Sequence, residues 1–228
     1  MNRKDELAAN LREVQSDIAA HCERLGRDLP TLVVVTKTWP ASDIELLAEL
    51  GVTDVGENRD QEAKPKHDEL VDLDLTWHAI GQLQTNKAKS VAQWADVLHS
   101  VDRPDLVNAL AKVVHTRVRP LKVLIQVNLD INPRDERGGC LPDKALELAE
   151  LISQTNGLEL KGVMGVAPLE GSADQAFARL AQSASSIADL DQNANWISAG
   201  MSGDYPEALK NGATHLRIGS TVLGHRTY

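Results

Sequence analysis

The 228-residue chain sets 33 Asp and Glu against 24 Lys and Arg, a formal net charge of -9; this argues against a nucleic-acid backbone as ligand, since such binding needs a basic face. At 42% hydrophobic and 25% charged residues the composition is that of a folded globular protein and excludes disorder. With aromatics at 3%, the core must be built from Leu, Val, Ile and Ala.

The N-terminus, "MNRKDELAANLREVQ", has charges where a signal peptide needs its apolar stretch, and no segment approaches the roughly 18 apolar residues of a membrane span. A cytoplasmic protein without membrane contact is expected. Leu7, Leu11, Val14 and Ile18 recur at helical spacing and predict a leading helix over about 3–25.

From there β-rich and helical runs alternate. The strand candidates are 31–37 (TLVVVTK), 52–57 (VTDVGE), 75–81 (LTWHAIG), 95–101 (ADVLHSV), 121–129 (LKVLIQVNL), 158–166 (LELKGVMGV), 195–200 (NWISAG) and 214–220 (THLRIGS). Between them lie helical runs opened by Ser, Asp, Asn or an early Pro, two of them closed by Gly51 and Gly212. Alternation of this kind implies a parallel sheet, and eight repeats predict an α/β fold closed into a single (β/α)8 TIM-type barrel, about 31–224, rather than a doubly wound open sheet. No Pro- or Ser-rich linker divides the chain, so 1–228 is read as one domain. Cys22 and Cys140 form no metal-like spacing; reduced thiols and no metal site are expected.

Why the run "LVVVTKTWP" should place Lys37 at the end of a buried strand is the chemical question, because burying an ammonium is costly. Either the lysine is a nucleophile whose amine pKa burial lowers, or it snorkels to the rim or pairs with Glu57. Further polar residues fall at strand ends, where barrel chemistry gathers: Glu57, Asn58, His78, His99, Asn128, Arg217, and the small-residue strings "GMSG" and "GST" after strands seven and eight. Those two strings are composed for an anion held by backbone N–H groups, opposite the lysine across the barrel mouth. Amine plus phosphate suggests an aldolase-type Schiff base or the aldehyde of pyridoxal 5'-phosphate (PLP). Arg217 could face the pyridine nitrogen of PLP, keeping it unprotonated, or form a barrel-lid salt bridge.

The ordered motifs "VVTKTWP", "GENRDQE", "WHAIGQLQTNK", "VLIQVN", "GMSGD" and "RIGSTVLG", over about 31–226, resemble the pyridoxal phosphate homeostasis protein family, related to the N-terminal barrel of alanine racemase. The resemblance implies a usually monomeric barrel holding PLP as a Schiff base on Lys37, its phosphate at Ser202, Gly219 and Ser220, with Arg217 near the ring nitrogen and Asn58 beside the ring. Where the family often has Tyr, Phe and Lys, this chain has Arg59, Ala79 and Arg137.

Alanine racemase adds a tyrosine base from a further domain. This chain is expected to lack that domain, and its tyrosines are Tyr205 and Tyr228; His78 and His99 are either substitute bases or packing residues. The expectation is a carrier that buffers PLP and delivers it to apo PLP-dependent enzymes, with indirect effects on amino-acid and keto-acid metabolism and with no catalytic residue; the alternative is a PLP-dependent racemase-like enzyme.

Overall fold

The computed structural model describes residues 2–131 and 137–224. Eight parallel strands, each paired with its chain neighbours, close into a barrel when the last pairs with the first. They are β1 (Thr31–Val35), β2 (Asp54–Glu57), β3 (Thr76–Ala79), β4 (Val97–Val101), β5 (Leu121–Gln126), β6 (Leu158–Met164), β7 (Trp196–Ser198) and β8 (His215–Ile218). Every predicted strand is present. Most end earlier than the sequence reading, because polar residues at the mouth leave the ladder; β8 stops at Ile218, and residues predicted to extend it form a short helix instead.

The leading helix α1 (Arg3–Leu25) matches its expected bounds. Asn2 caps it by accepting the Asp5 N–H, and Gly26, at φ 62°, ends it in the left-handed conformation that glycine tolerates. Around the barrel follow α2 (Ala41–Glu49), α3 (Asp60–Glu69), α4 (Ala88–Trp94), α5 (Pro104–Val114), α6 (Ala145–Ser153), α7 (Ala173–Leu190), α8 (Tyr205–Lys210) and α9 (Ser220–Leu223). Leu7, Leu11, Ile18 and Cys22 give α1 its buried face, which packs against α2, α8 and α9. Arg3 ties these parts: it donates to Asp43 at 2.8 Å and to the Leu223 carbonyl at 3.0 Å, and its guanidinium lies 4.5 Å over the Trp39 ring.

Strand alternation sorts the barrel's two faces. In β8, Leu216 and Ile218 join the core between sheet and helices, so His215 and Arg217 point to the barrel axis. By the same alternation Trp77 and Ala79 face the helices while His78 faces inward. The interior is thus unusually polar for a fold normally filled by branched apolar layers. Cys22 and Cys140 are both free and buried. Among the described residues no helix is long and apolar enough to cross a membrane, and no group of His, Cys, Asp and Glu could hold a metal ion.

Candidate functional site

The lysine that the sequence places at the end of a buried strand lies just beyond it. β1 stops at Val35; Thr36 is still buried, but Lys37 and Thr38 are exposed. Lys37 is therefore not a buried strand lysine, and the alternative of a pair with Glu57 is not made among the described residues. Glu57 belongs instead to Lys66 of α3, 2.7 Å away, and accepts the Thr36 hydroxyl at 2.7 Å. Lys66 also donates to the Thr36 carbonyl at 3.0 Å. Burial pushes the Glu57 carboxyl up, against the opposing pull of Lys66 and Thr36, and its second oxygen is buried without a partner among the described residues.

This network holds the root of a tight turn. The Trp39 N–H bonds the Thr36 carbonyl at 3.1 Å, leaving Lys37 and Thr38 at the two central positions. Thr38 has φ 68°, a strained value for a β-branched residue. Its N–H is held at 3.0 Å by Glu62 of α3. The turn is over-determined from below, and the lysine is exposed at its crest.

Beside it, rather than across the mouth as the sequence reading had it, is the small-residue corner. β8 pairs with β1, Val34 opposite Ile218, so Gly219 falls against the end of β1; a Cβ on Gly219 would sit 3.2 Å from the Val35 carbonyl oxygen. Gly200, at φ 90°, turns the chain after β7, where a Cβ would lie 2.8 Å from that of Ala208. Between these glycines three hydroxyls converge: Ser202 to Thr221 at 3.2 Å, and Ser220 to Ser202 at 3.3 Å. Ser220 and Thr221 are exposed and Ser202 half-buried. Thr221 was not among the predicted ligands, although "GST" carries it.

Arg217 is 4% exposed, and burial pulls its guanidinium down to about 10. It donates to the Ser198 hydroxyl at 2.5 Å and to the Gly165 carbonyl at 2.9 Å. It forms no ion pair among the described residues, so the barrel-lid salt bridge is not its role. Asn58 is exposed at the end of β2 and lines a cavity of about 590 Å³ with Arg59, Lys87, Arg103 and Arg137. Lys37, Ser202, Gly219 and Ser220 do not line that cavity. Of the departures noted in sequence, Arg59 and Arg137 are on its wall, Arg137 engaged with Asp130 at 2.5 Å and the Ala167 carbonyl at 2.6 Å, while Ala79 is buried at its floor.

The candidate second bases lie elsewhere. Tyr205 donates to Asp17 on α1 and meets His21 edge-on; burial and that acceptor push its hydroxyl up to about 12. His78 and His99 are 1% and 0% exposed inside the barrel. Tyr228 lies outside the described residues. Sequence reasoning missed Lys66 and Glu62, both on α3: nothing in "DQEAKPKHDE" separates them from a solvated helix face until the barrel brings α3 under the turn.

Three hydroxyls converging beside a glycine that lets backbone approach closely suit a phosphate, and an amine on the next strand suits an aldehyde.

Residues 4–227 match the family model for the alanine racemase N-terminal domain. The chain is 37% identical over 246 residues to the pyridoxal phosphate homeostasis protein of Mycobacterium tuberculosis, covering 99% of this chain and 95% of that one. To the protein of the same name from Corynebacterium glutamicum it is 41% identical over 202 residues, covering 86% and 90%. Among solved structures, PipY of Synechococcus elongatus with PLP bound superposes with TM-score 0.81 at 33% identity, covering 96% of this chain and all of that one. Alanine racemase from Corynebacterium glutamicum, at 13% identity and TM-score 0.74 over 62% of its length, shares the fold. With the barrel, the strand-one lysine and the hydroxyl corner in place, the chain belongs to the pyridoxal phosphate homeostasis protein family.

Proposed function

We propose that this protein binds PLP and serves PLP homeostasis, holding the cofactor between Lys37 and the hydroxyl corner. The observation that carries the reading is the adjacency of β1 and β8, which sets Gly219 against Val35, two residues before Lys37. Ser202, Ser220, Thr221 and the backbone at Gly219 receive the phosphate. Lys37 would hold the aldehyde end of PLP as a Schiff base, with water released as the imine forms. Arg217 faces the ring nitrogen and, as a group that only donates, keeps that nitrogen unprotonated; Asn58 lies beside the ring. PLP bound through its nitrogen in this way is a weak electron sink.

A carrier without robust turnover is the reading the surrounding groups favour. Tyr205 is committed to α1, and His78 and His99 are committed to partners inside the barrel, so none of these three candidate second bases stands free beside Lys37. We read the chain as one cytoplasmic barrel domain that acts as a monomer and delivers PLP to apo-enzymes.

The test is the visible absorbance of the protein with and without added PLP, then borohydride reduction and peptide mapping. A band trapped on Lys37 and missing in Lys37→Ala supports the reading; label scattered over surface lysines overturns it. Incubation with L-amino acids, following chirality, decides the rest: racemisation at an enzyme-like rate would mean an enzyme.

A further inference from the structure

Five polar side chains from five strands meet inside the barrel. Starting at its base, Asp54 (β2) lies 2.8 Å from His78 Nε2 (β3), His78 Nδ1 lies 2.9 Å from His99 Nε2 (β4), His99 Nδ1 lies 2.9 Å from the Ser198 hydroxyl (β7), and Ser198 receives Arg217 (β8) at 2.5 Å. Asp54 keeps some access to solvent, with its side chain 18% exposed; His99 and Ser198 have none.

The two ends give the chain a direction. A guanidinium can only donate and a carboxylate can only accept. Ser198, having accepted from Arg217, has one proton to give, and His99 Nδ1 is the acceptor within reach. His99 Nε2–H then donates to His78 Nδ1, and His78 Nε2–H to Asp54. Every link is satisfied with one proton on each imidazole, at Nε2. Protonating both nitrogens of His78 reverses the next two links and leaves the Ser198 proton without an acceptor. Burial, first among the causes, holds His99 well below the ordinary imidazole range, in keeping with a neutral ring.

Such a chain is a costly way to fill a barrel. Buried polar groups must all be satisfied to break even, and apolar layers would stabilise the fold as well or better. Its termination on Arg217 supplies a reason.

We propose that Asp54, His78, His99 and Ser198 are positioning residues for Arg217: a one-directional hydrogen-bond relay that fixes the guanidinium plane, so that its remaining N–H groups meet the ring nitrogen of PLP. The proposal builds on the reading of Arg217 given above. Two of the five guanidinium N–H groups are spent below, on Ser198 and on the Gly165 carbonyl; these fix the plane by two points, and the relay fixes Ser198 in turn.

Two measurements test it. In the ¹⁵N-labelled, cofactor-free protein at neutral pH, two-bond proton–nitrogen spectra should show His78 and His99 with the proton on Nε2 and a bare Nδ1; a proton on Nδ1 of either ring overturns the relay. With PLP labelled at its ring nitrogen, Ser198→Ala and His99→Gln should move that nitrogen's signal from its wild-type position and weaken PLP about ten-fold, the scale of one hydrogen bond to a charged group, while borohydride still labels Lys37. Variants that bind like the wild type with an unmoved ring-nitrogen signal overturn the positioning role. No uptake by the wild type would overturn the cofactor reading itself, an outcome distinct from failure of the relay alone.

Discussion

Lys66 Nζ lies 2.7 Å from Glu57 Oε1, and the glutamate side chain has no exposure at all. Removing the partner of a buried charge costs more than the pair contributes, because an uncompensated carboxylate stays behind. Lys66→Met should therefore lower unfolding free energy by about 3–5 kcal/mol in urea denaturation, and adding Glu57→Gln should restore most of it. A single substitution that leaves the midpoint where it was would show that the pair does not brace the turn.

Thr38 is held at φ 68° by its N–H bond to Glu62. Strain of this kind costs about 1–3 kcal/mol, and glycine removes it. Thr38→Gly should raise stability by about 1 kcal/mol while weakening PLP, since the turn no longer fixes the Lys37 backbone. If the midpoint falls instead, strain at Thr38 is not what the neighbouring bonds oppose.

Acid should destabilise the barrel through its inward histidines. Burial above all brings His215 from 6.5 down to about 4. The unfolded chain takes up this proton as pH falls through 6.5, whereas the folded chain refuses it until about 4, so stability is lost across that window. His215 alone gives a slope of about 1.4 kcal/mol per pH unit, and His99, lowered for the same reason, adds to it. Asp54, held below the ordinary carboxylate range by His78 and Thr53 in spite of its burial, loses its contribution lower still, as pH falls through its folded value. Urea titrations at a series of pH values should show the slope flatten in His215→Gln; an unchanged slope would contradict the assignment.

Arg3 links the start of α1 to Asp43, to the Leu223 carbonyl and to the Trp39 ring. Asp43 is 5% exposed, so Arg3→Met should cost about 3 kcal/mol. It should also speed amide exchange in α9 and in the turn at Lys37, whereas exchange confined to α1 would show that the helix only covers the barrel.

The sequence made the barrel legible because its signals are local and repeated: β-branched runs of fixed length, punctuated by caps, glycines and prolines. It also pointed to Lys37, Ser202, Gly219 and Ser220, since strand ends are where this fold gathers polar side chains. What it hid depends on contacts between distant segments. Lys66 reaches Glu57 only because α3 packs back on β2 and under the turn that follows β1, so it is Lys66, not the lysine next to the strand, that pairs with the buried carboxylate. His78, His99 and Arg217 each read as isolated polar residues in apolar runs; 21 positions separate the two histidines and 99 separate His99 from Ser198. Strand lengths were overestimated at the mouth because the same β-prone residues continue past the last ladder bond.

A closed sheet has one junction made between the first strand and the last, and here Lys37 stands on one side of it and Gly219 on the other. A small molecule gripped from both sides would act as a clasp across that seam, joining parts of the chain more than 180 positions apart. Occupancy would then be felt as resistance of the whole ring to opening: β1 and β8 would be locked together, and slow exchange at their shared ladder would report the load the protein carries.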